Sequence, residues 1–306
     1  MTIASALPVV QKPMSAVLWG LLLLLGAIWG GAFFFVDVAV AEIRPLTLVL
    51  LRVAIAALLL QIWLRIRGLS FATVLPVAAT FFGLALLNNV IPFSLMFIGQ
   101  TAIGAGLASV LNATTPFWTL MIAGLIVRDE KLTVTRTAGI LLGIAGTAVM
   151  IGPGLAAGIG GPAWAKLCLI GTALSYACAF TFARRLKGIE PEIVATGQLT
   201  ASAIIMLPIV LLVDGVSGAA GASATTWAAV AALASLSTAF AYIVFFNLIA
   251  RAGSTNTSLV TLIVPVSAIL LGVAFLGERL ELFELGGMAL IGLGLVTIDG
   301  RLFARR

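Results

Sequence analysis

Ten runs of about 20 apolar residues follow one another, near 15–36, 46–64, 72–97, 102–127, 134–152, 163–183, 193–213, 226–249, 254–276 and 282–299. Runs of this length with so few charges belong in lipid, where only α-helices and closed β-barrels satisfy the backbone. No segment alternates apolar and polar residues at period two, so a barrel is excluded. Composition rules out a soluble core: 62% of the 306 residues are hydrophobic and 9% are charged, against about 25% charged in soluble domains. The sequence therefore predicts an all-α integral membrane protein with ten transmembrane helices. No polar stretch is long enough to form a separate soluble domain. The first run, SAVLWGLLLLLGAIWGGAFFFV, exceeds a signal-peptide core and has no clear cleavage site, so it is expected to be retained.

Basic residues set the orientation. With the N-terminus inside, 13 of the 17 Lys and Arg residues fall on the cytoplasmic side, among them Arg65, Arg67, Arg128 and Arg251. Only Arg44, Lys166 and Arg279 fall outside, and Arg52 lies within the second run. This bias is the positive-inside rule, and it predicts an inner-membrane protein with both termini cytoplasmic. The net charge of +6 has the same origin, so no nucleic-acid partner is expected. Cys168 and Cys178 sit on one predicted helix, roughly 15 Å apart at 1.5 Å per residue, too far for a disulfide.

The two halves of the chain correspond. GAGLASVLNATTPFWTLMIAGLIVRDEKL from Gly104 resembles GSTNTSLVTLIVPVSAILLGVAFLGERL from Gly253, with Pro116 on Pro265 and Glu130-Lys131-Leu132 on Glu278-Arg279-Leu280. Trp19 matches Trp164, Pro45 matches Pro191, and Gly139 and Gly146 match Gly287 and Gly294. Five spans per half is an odd number, so the second half enters from the opposite face: a five-plus-five inverted repeat, with halves at 15–152 and 163–300. Inverted repeats are typical of secondary transporters with midplane sites.

The AIWGGAFF stretch, the Pro-to-Glu-Lys/Arg-Leu unit in the fourth and ninth spans and the glycine-rich spans after them resemble the EamA domain. Two such domains in tandem characterise the drug/metabolite transporter superfamily, and the resemblance covers almost the whole chain. It is nearest the YddG-type exporters of aromatic and other amino acids. The resemblance implies ten helices in an inverted-repeat fold and export of metabolites such as amino acids.

The fourth span carries its most awkward residues at mid-depth. In SVLNATTPFW, Asn112 and Thr115 share one helical face with Ala108 and Thr119. Pro116 withholds a backbone bond and frees the Asn112 carbonyl for a hydroxyl, a water or a substrate. Thr261 and Pro265 are their counterparts in the ninth span, beside Ser258. Lipid penalises such groups, whereas a protein-lined cavity or a helix contact does not. Asn88 and Asn89, one turn before Pro92, also require partners. Ser175 and Tyr176 in the sixth span, and Thr238 and Tyr242 in the eighth, join the expected lining. Trp29, away from the interfacial belt, would wall it for apolar or aromatic groups. Arg52 is expected to act as an anchor, snorkelling outward towards Asp37 or Glu42.

Histidine is absent, no acid lies mid-span and no GxxxxGK[ST] loop exists, so ATP hydrolysis, the usual proton relays and a metal or other cofactor are not expected. The leading reading is a facilitative exporter of small neutral or zwitterionic solutes working by alternating access. Its partners are a small-molecule substrate and membrane lipid, with monomer or homodimer left open. A drug-efflux carrier could use the same lining. An intramembrane enzyme would need His, paired carboxylates or a Ser–Lys pair at depth, none of which is visible.

Overall fold

A computed structural model describes residues 15–69, 76–122, 134–157, 161–252, 257 and 260–299. Its helices are α1 (Ala16–Val40), α2 (Pro45–Ile66), α3 (Ala78–Gln100), α4 (Ala105–Asn112), α5 (Thr115–Met121), α6 (Val134–Ala157), α7 (Ala163–Ala183), α8 (Pro191–Val213), α9 (Ala224–Ala252), α10 (Val260–Leu276) and α11 (Leu282–Asp299). No strand occurs among the described residues. Six helices, α1, α2, α3, α7, α8 and α9, are long and apolar enough to cross a membrane, and shorter apolar helices run over Thr137–Val149, Ile263–Leu276 and Leu282–Thr297. Their outward faces carry residues such as Leu23, Leu58, Ile62, Leu207 and Leu211, where a soluble bundle would place charge. The protein is a multi-pass membrane protein.

Local chemistry sets the helix ends. The Ser15 and Ser223 hydroxyls accept the Leu18 and Thr226 amides at the starts of α1 and α9. Pro45 and Pro191 open α2 and α8, where their missing N–H costs nothing. Gly68, at φ +69, turns the chain out of α2 while the Leu69 amide returns to the Leu64 carbonyl.

Two ends differ from the sequence reading. The fifth span, expected to end at 152, runs further, because α6 stays helical to Ala157; an apolar setting rewards keeping backbone bonds internal. The fourth span is not one rod. It breaks at Ala113–Thr114 between α4 and α5, just before Pro116. The repeat's Glu130-Lys131-Leu132 and Ser258 lie outside the described residues.

The main pairings are α6 with α11, α2 with α8, α1 with α10, α4 with α10, α1 with α9, and α7 with both α3 and the α4–α5 pair. Exchanging the two halves leaves this set unchanged. Close approach comes from glycine. A Cβ on Gly30 would lie 2.8 Å from the Val264 carbonyl of α10, and one on Gly294 2.8 Å from the Gly139 carbonyl of α6. The Gly26 and Gly30 pair, like Gly139 and Gly143, is thus engaged within the chain and needs no second protomer.

Candidate functional site

Two wide turns sit near the middle of the bundle. The backbone of α3 forms a π turn over Leu86–Val90, and that of α9 forms one over Ser235–Phe240. Such turns mark functional positions more often than chance. In α3 the cause is Pro92, which cannot donate to the ladder and crowds the carbonyl four residues back. The widened turn exposes the Leu87 carbonyl, which the Ser175 hydroxyl of α7 reaches at 2.7 Å. In α9 no proline is present, and the Thr238 hydroxyl bridges back to the Leu233 carbonyl at 2.8 Å. Ser237 donates to the Ile28 carbonyl of α1 at 3.1 Å.

Between these turns, α2 and α8 bring in Arg52 and Gln198. The Arg52 Nε donates to the Thr238 hydroxyl at 3.0 Å, and its guanidinium lies 3.9 Å from the centroid of the Phe93 ring. Gln198 accepts from Asn88 at 2.9 Å and donates to the Tyr242 hydroxyl at 3.4 Å. Tyr176 and Tyr242 are the electrostatic neighbours of Arg52. Side chains from α2, α3, α7, α8 and α9 thus meet in one cluster. An aromatic wall continues from Tyr242 through Phe246 and Phe245 to Trp29, with ring centroids 5.8, 5.6 and 5.3 Å apart.

The cluster is built twice. Arg52 and Gln198 each stand seven residues after the proline that opens their helix. Phe93 and Tyr242 each stand seven residues after the start of a π turn. Each of these two side chains reaches the aromatic residue of its own half, Arg52 at the ring of Phe93 and Gln198 at the hydroxyl of Tyr242, and the π turn of the other half. The two halves differ in charge: one holds a guanidinium, the other a carboxamide.

Of the residues expected from sequence, Trp29, Asn88, Ser175, Tyr176, Thr238 and Tyr242 belong to this cluster or its wall. Asn89 is fully buried and donates to Ser202 at 2.9 Å, so it ties α3 to α8. Asn112, Thr115 and Pro116 lie elsewhere, at the α4–α5 break. There the Thr115 hydroxyl takes the Asn112 carbonyl at 2.7 Å, one of the uses expected for it, while the Asn112 Oδ1 has no hydrogen-bond partner among the described residues. Thr261 and Pro265 are half-buried in α10, which runs unbroken past Pro265.

The outward path expected for Arg52 is corrected. It is 7% exposed and turns inward to Thr238 and Phe93, because a hydroxyl and an aromatic face lie within reach on that side. Glu42 instead binds Ser223, accepting its amide at 2.6 Å and its hydroxyl at 3.1 Å. These bonds hold the Glu42 carboxyl below its ordinary value. Gln198 and Phe93 were missed by the sequence reading. Counting from Pro45 and Pro191 would have put Arg52 and Gln198 in register, two polar groups at one depth of matched apolar helices.

One end of the bundle carries a cleft lined by Ile103, Gly104, Leu107, Gly161, Glu278 and Arg279. The Glu278 carboxylate crosses it to accept the Ala105 and Gly106 amides at 2.5 and 3.0 Å. An anion at a helix start is favoured by the free amides and the dipole. Gly104, Gly106 and Gly272 leave room for it, since a Cβ on any of them would strike the carboxylate.

The sequence pattern of the EamA-like transporter family matches residues 14–152 and again 163–298. An uncharacterized inner membrane transporter of Escherichia coli strain K12, YedA, is 26% identical over 293 residues, covering 94% of this chain and 92% of its own. An uncharacterized transporter of Archaeoglobus fulgidus is 24% identical over 286 residues, covering 92% and 98%. A solved crystal structure shares the fold at a TM-score of 0.67 and 19% identity, covering 96% of this chain and 100% of that one.

Proposed function

The chain belongs to the EamA-like transporter family of the drug/metabolite superfamily, and on that premise we propose a secondary carrier that exports small neutral or zwitterionic metabolites, foremost amino acids with aromatic or hydrophobic side chains. The observation that carries this reading is the cluster of Arg52, Asn88, Tyr176, Gln198, Thr238 and Tyr242, where five helices from both halves meet beside an aromatic wall. A site shared by both halves is what alternating access requires.

Ten helices in a five-plus-five inverted repeat fit this reading, with both termini cytoplasmic in the inner membrane. Three features support the repeat. The helix pairings survive exchange of the halves, the π turns stand at the same offset as Pro116 and Pro265, and Arg52 and Gln198 share a register. The described acids lie towards helix ends, which supports facilitated movement without proton coupling. Asp37, half-buried with Glu278 as its charged neighbour, is the nearest approach to a relay.

Purified protein in liposomes, tested with labelled amino acids and with cationic dyes, checks the reading. Movement of amino acids down their gradient, without an imposed proton gradient, is expected. Transport of dyes alone would establish a drug carrier instead. Accumulation driven by a pH step and abolished by an uncoupler would show that an acid such as Asp37 couples transport to protons.

A further inference from the structure

We infer that Arg52 is the anion-binding group of the substrate site, so that the solute carried is a small organic carboxylate with an apolar or aromatic side chain. The inference rests on the proposed carrier function and narrows its substrate. A guanidinium has five N–H donors in a planar fork and stays charged. In Arg52 one donor is used, by Thr238, and the ring of Phe93 covers the cation's face. The terminal nitrogens hydrogen-bond to none of the described residues, and none of the described carboxylates lies within ion-pair distance of Arg52.

A buried cation without a counter-ion is a costly thing to keep inside a membrane protein. A hydroxyl and one aromatic face offset only part of that cost. A structural role does not account for it. Gln198 holds the same position in the other half and joins the matching elements, Asn88 of the opposite π turn and Tyr242 of its own half, with no charge. What arginine adds over glutamine is a charged fork that matches a carboxylate bidentately. Tyr176 and Tyr242 are phenols within electrostatic reach of the cation. The wall from Tyr242 to Trp29 supplies surface for the rest of the solute.

The test, on the detergent-purified full chain, compares acids with the amides that replace the carboxylate by an uncharged carboxamide. Calorimetric titration uses 3-phenylpropionate against 3-phenylpropanamide, and L-phenylalanine against L-phenylalaninamide. The 3-phenylpropionate pair carries no other charge, whereas both members of the phenylalanine pair keep the amino group. The acids should bind about 100-fold more tightly than the amides, the scale expected when a buried ion pair loses one partner. R52Q, which gives this half the residue already used in the other, should remove that preference. R52K should keep it at reduced affinity, since lysine retains the charge but not the fork. The acid-to-amide ratio of the native protein is informative even if a variant fails to fold.

Equal binding of acid and amide by the native protein overturns the inference, as does no binding of any acid, or an unchanged preference in R52Q. Binding of 3-phenylpropionate without the amino acids would leave Arg52 in place and remove the amino-acid reading. Amino-acid transport indifferent to R52Q would do the reverse.

Discussion

The Glu278 carboxylate pins the start of α4 to the loop after α10, and its removal has a calculable effect on access to the cleft. It accepts two backbone amides, Ala105 at 2.5 Å and Gly106 at 3.0 Å, across 173 and 172 residues of chain. In E278Q the carboxamide supplies one acceptor and presents an N–H group to the second amide. A hydrogen bond to a charged group contributes about 1.5–3 kcal/mol. Glu278 is partly exposed, so the loss falls towards the lower part of that range, about 2 kcal/mol, or roughly 30-fold in the open population. Leu107 lines the cleft and is 5% exposed, so a cysteine there reports opening. After Cys168 and Cys178, both free thiols, are replaced by alanine, L107C is labelled with an impermeant maleimide in detergent. When reclosing outpaces labelling, the rate follows the open population. It should rise about 30-fold in E278Q, with the protein still monodisperse and its Tm above the assay temperature. An unchanged rate would refute the assignment of Glu278 as a clasp.

Four further expectations follow from the geometry. G294A places a Cβ 2.8 Å from the Gly139 carbonyl and 3.0 Å from the Gly143 amide, so overpacking should cost about 1–3 kcal/mol; thermal melts should show the loss while substrate affinity is kept. Because folding lowers the Glu42 pKa, its contribution to stability is present above the ordinary value of 4.5 and is lost as pH falls below it. The Tm gap between native protein and E42Q should therefore close on the acid side, and a gap constant with pH would discount the Ser223 bonds. Tyr242 to alanine removes both the hydroxyl that Gln198 meets and one end of the aromatic wall, so uptake assays should show altered substrate preference with normal insertion. N112L and T115L, at the α4–α5 break, should reduce transport if that break lines the path; normal uptake in both would leave it a packing feature.

Hydrophobic length made most of the fold legible, because lipid fixes how many apolar residues a span needs. Pro116 was legible as a residue that frees the Asn112 carbonyl, but not as the site of a break, since a helix can continue past a proline, as α10 does past Pro265, or stop before it. The π turns had no signature in composition: Asn88 and Asn89 attracted notice as buried amides, not as members of a wide turn. The direction of Arg52 was illegible for a different reason. A long side chain two turns from a helix end reaches inward or outward equally well, and its partner Thr238 lies 186 residues away in sequence. Thr115 carried the opposite ambiguity, for a hydroxyl that serves its own helix looks the same in sequence as one that serves a cavity.

The mismatch between Arg52 and Gln198 bears on direction. A carrier whose halves were interchangeable would present the same shape when open to either side, and would rest equally in both. In the alternating-access cycle proposed above, fixing the charge on one half only would make the two resting forms unequal. The membrane voltage then sees them differently, because the drop in potential shifts across a stationary guanidinium when access changes sides. The full field is worth about 2.3 kcal/mol per charge at 100 mV, so even a modest fraction would bias such a cycle and make the carrier rectify. The exchange R52Q with Q198R moves the charge to the other half. In oriented vesicles it should reverse the voltage preference of transport, whereas an unaltered preference would mean that the asymmetry resides elsewhere in the chain.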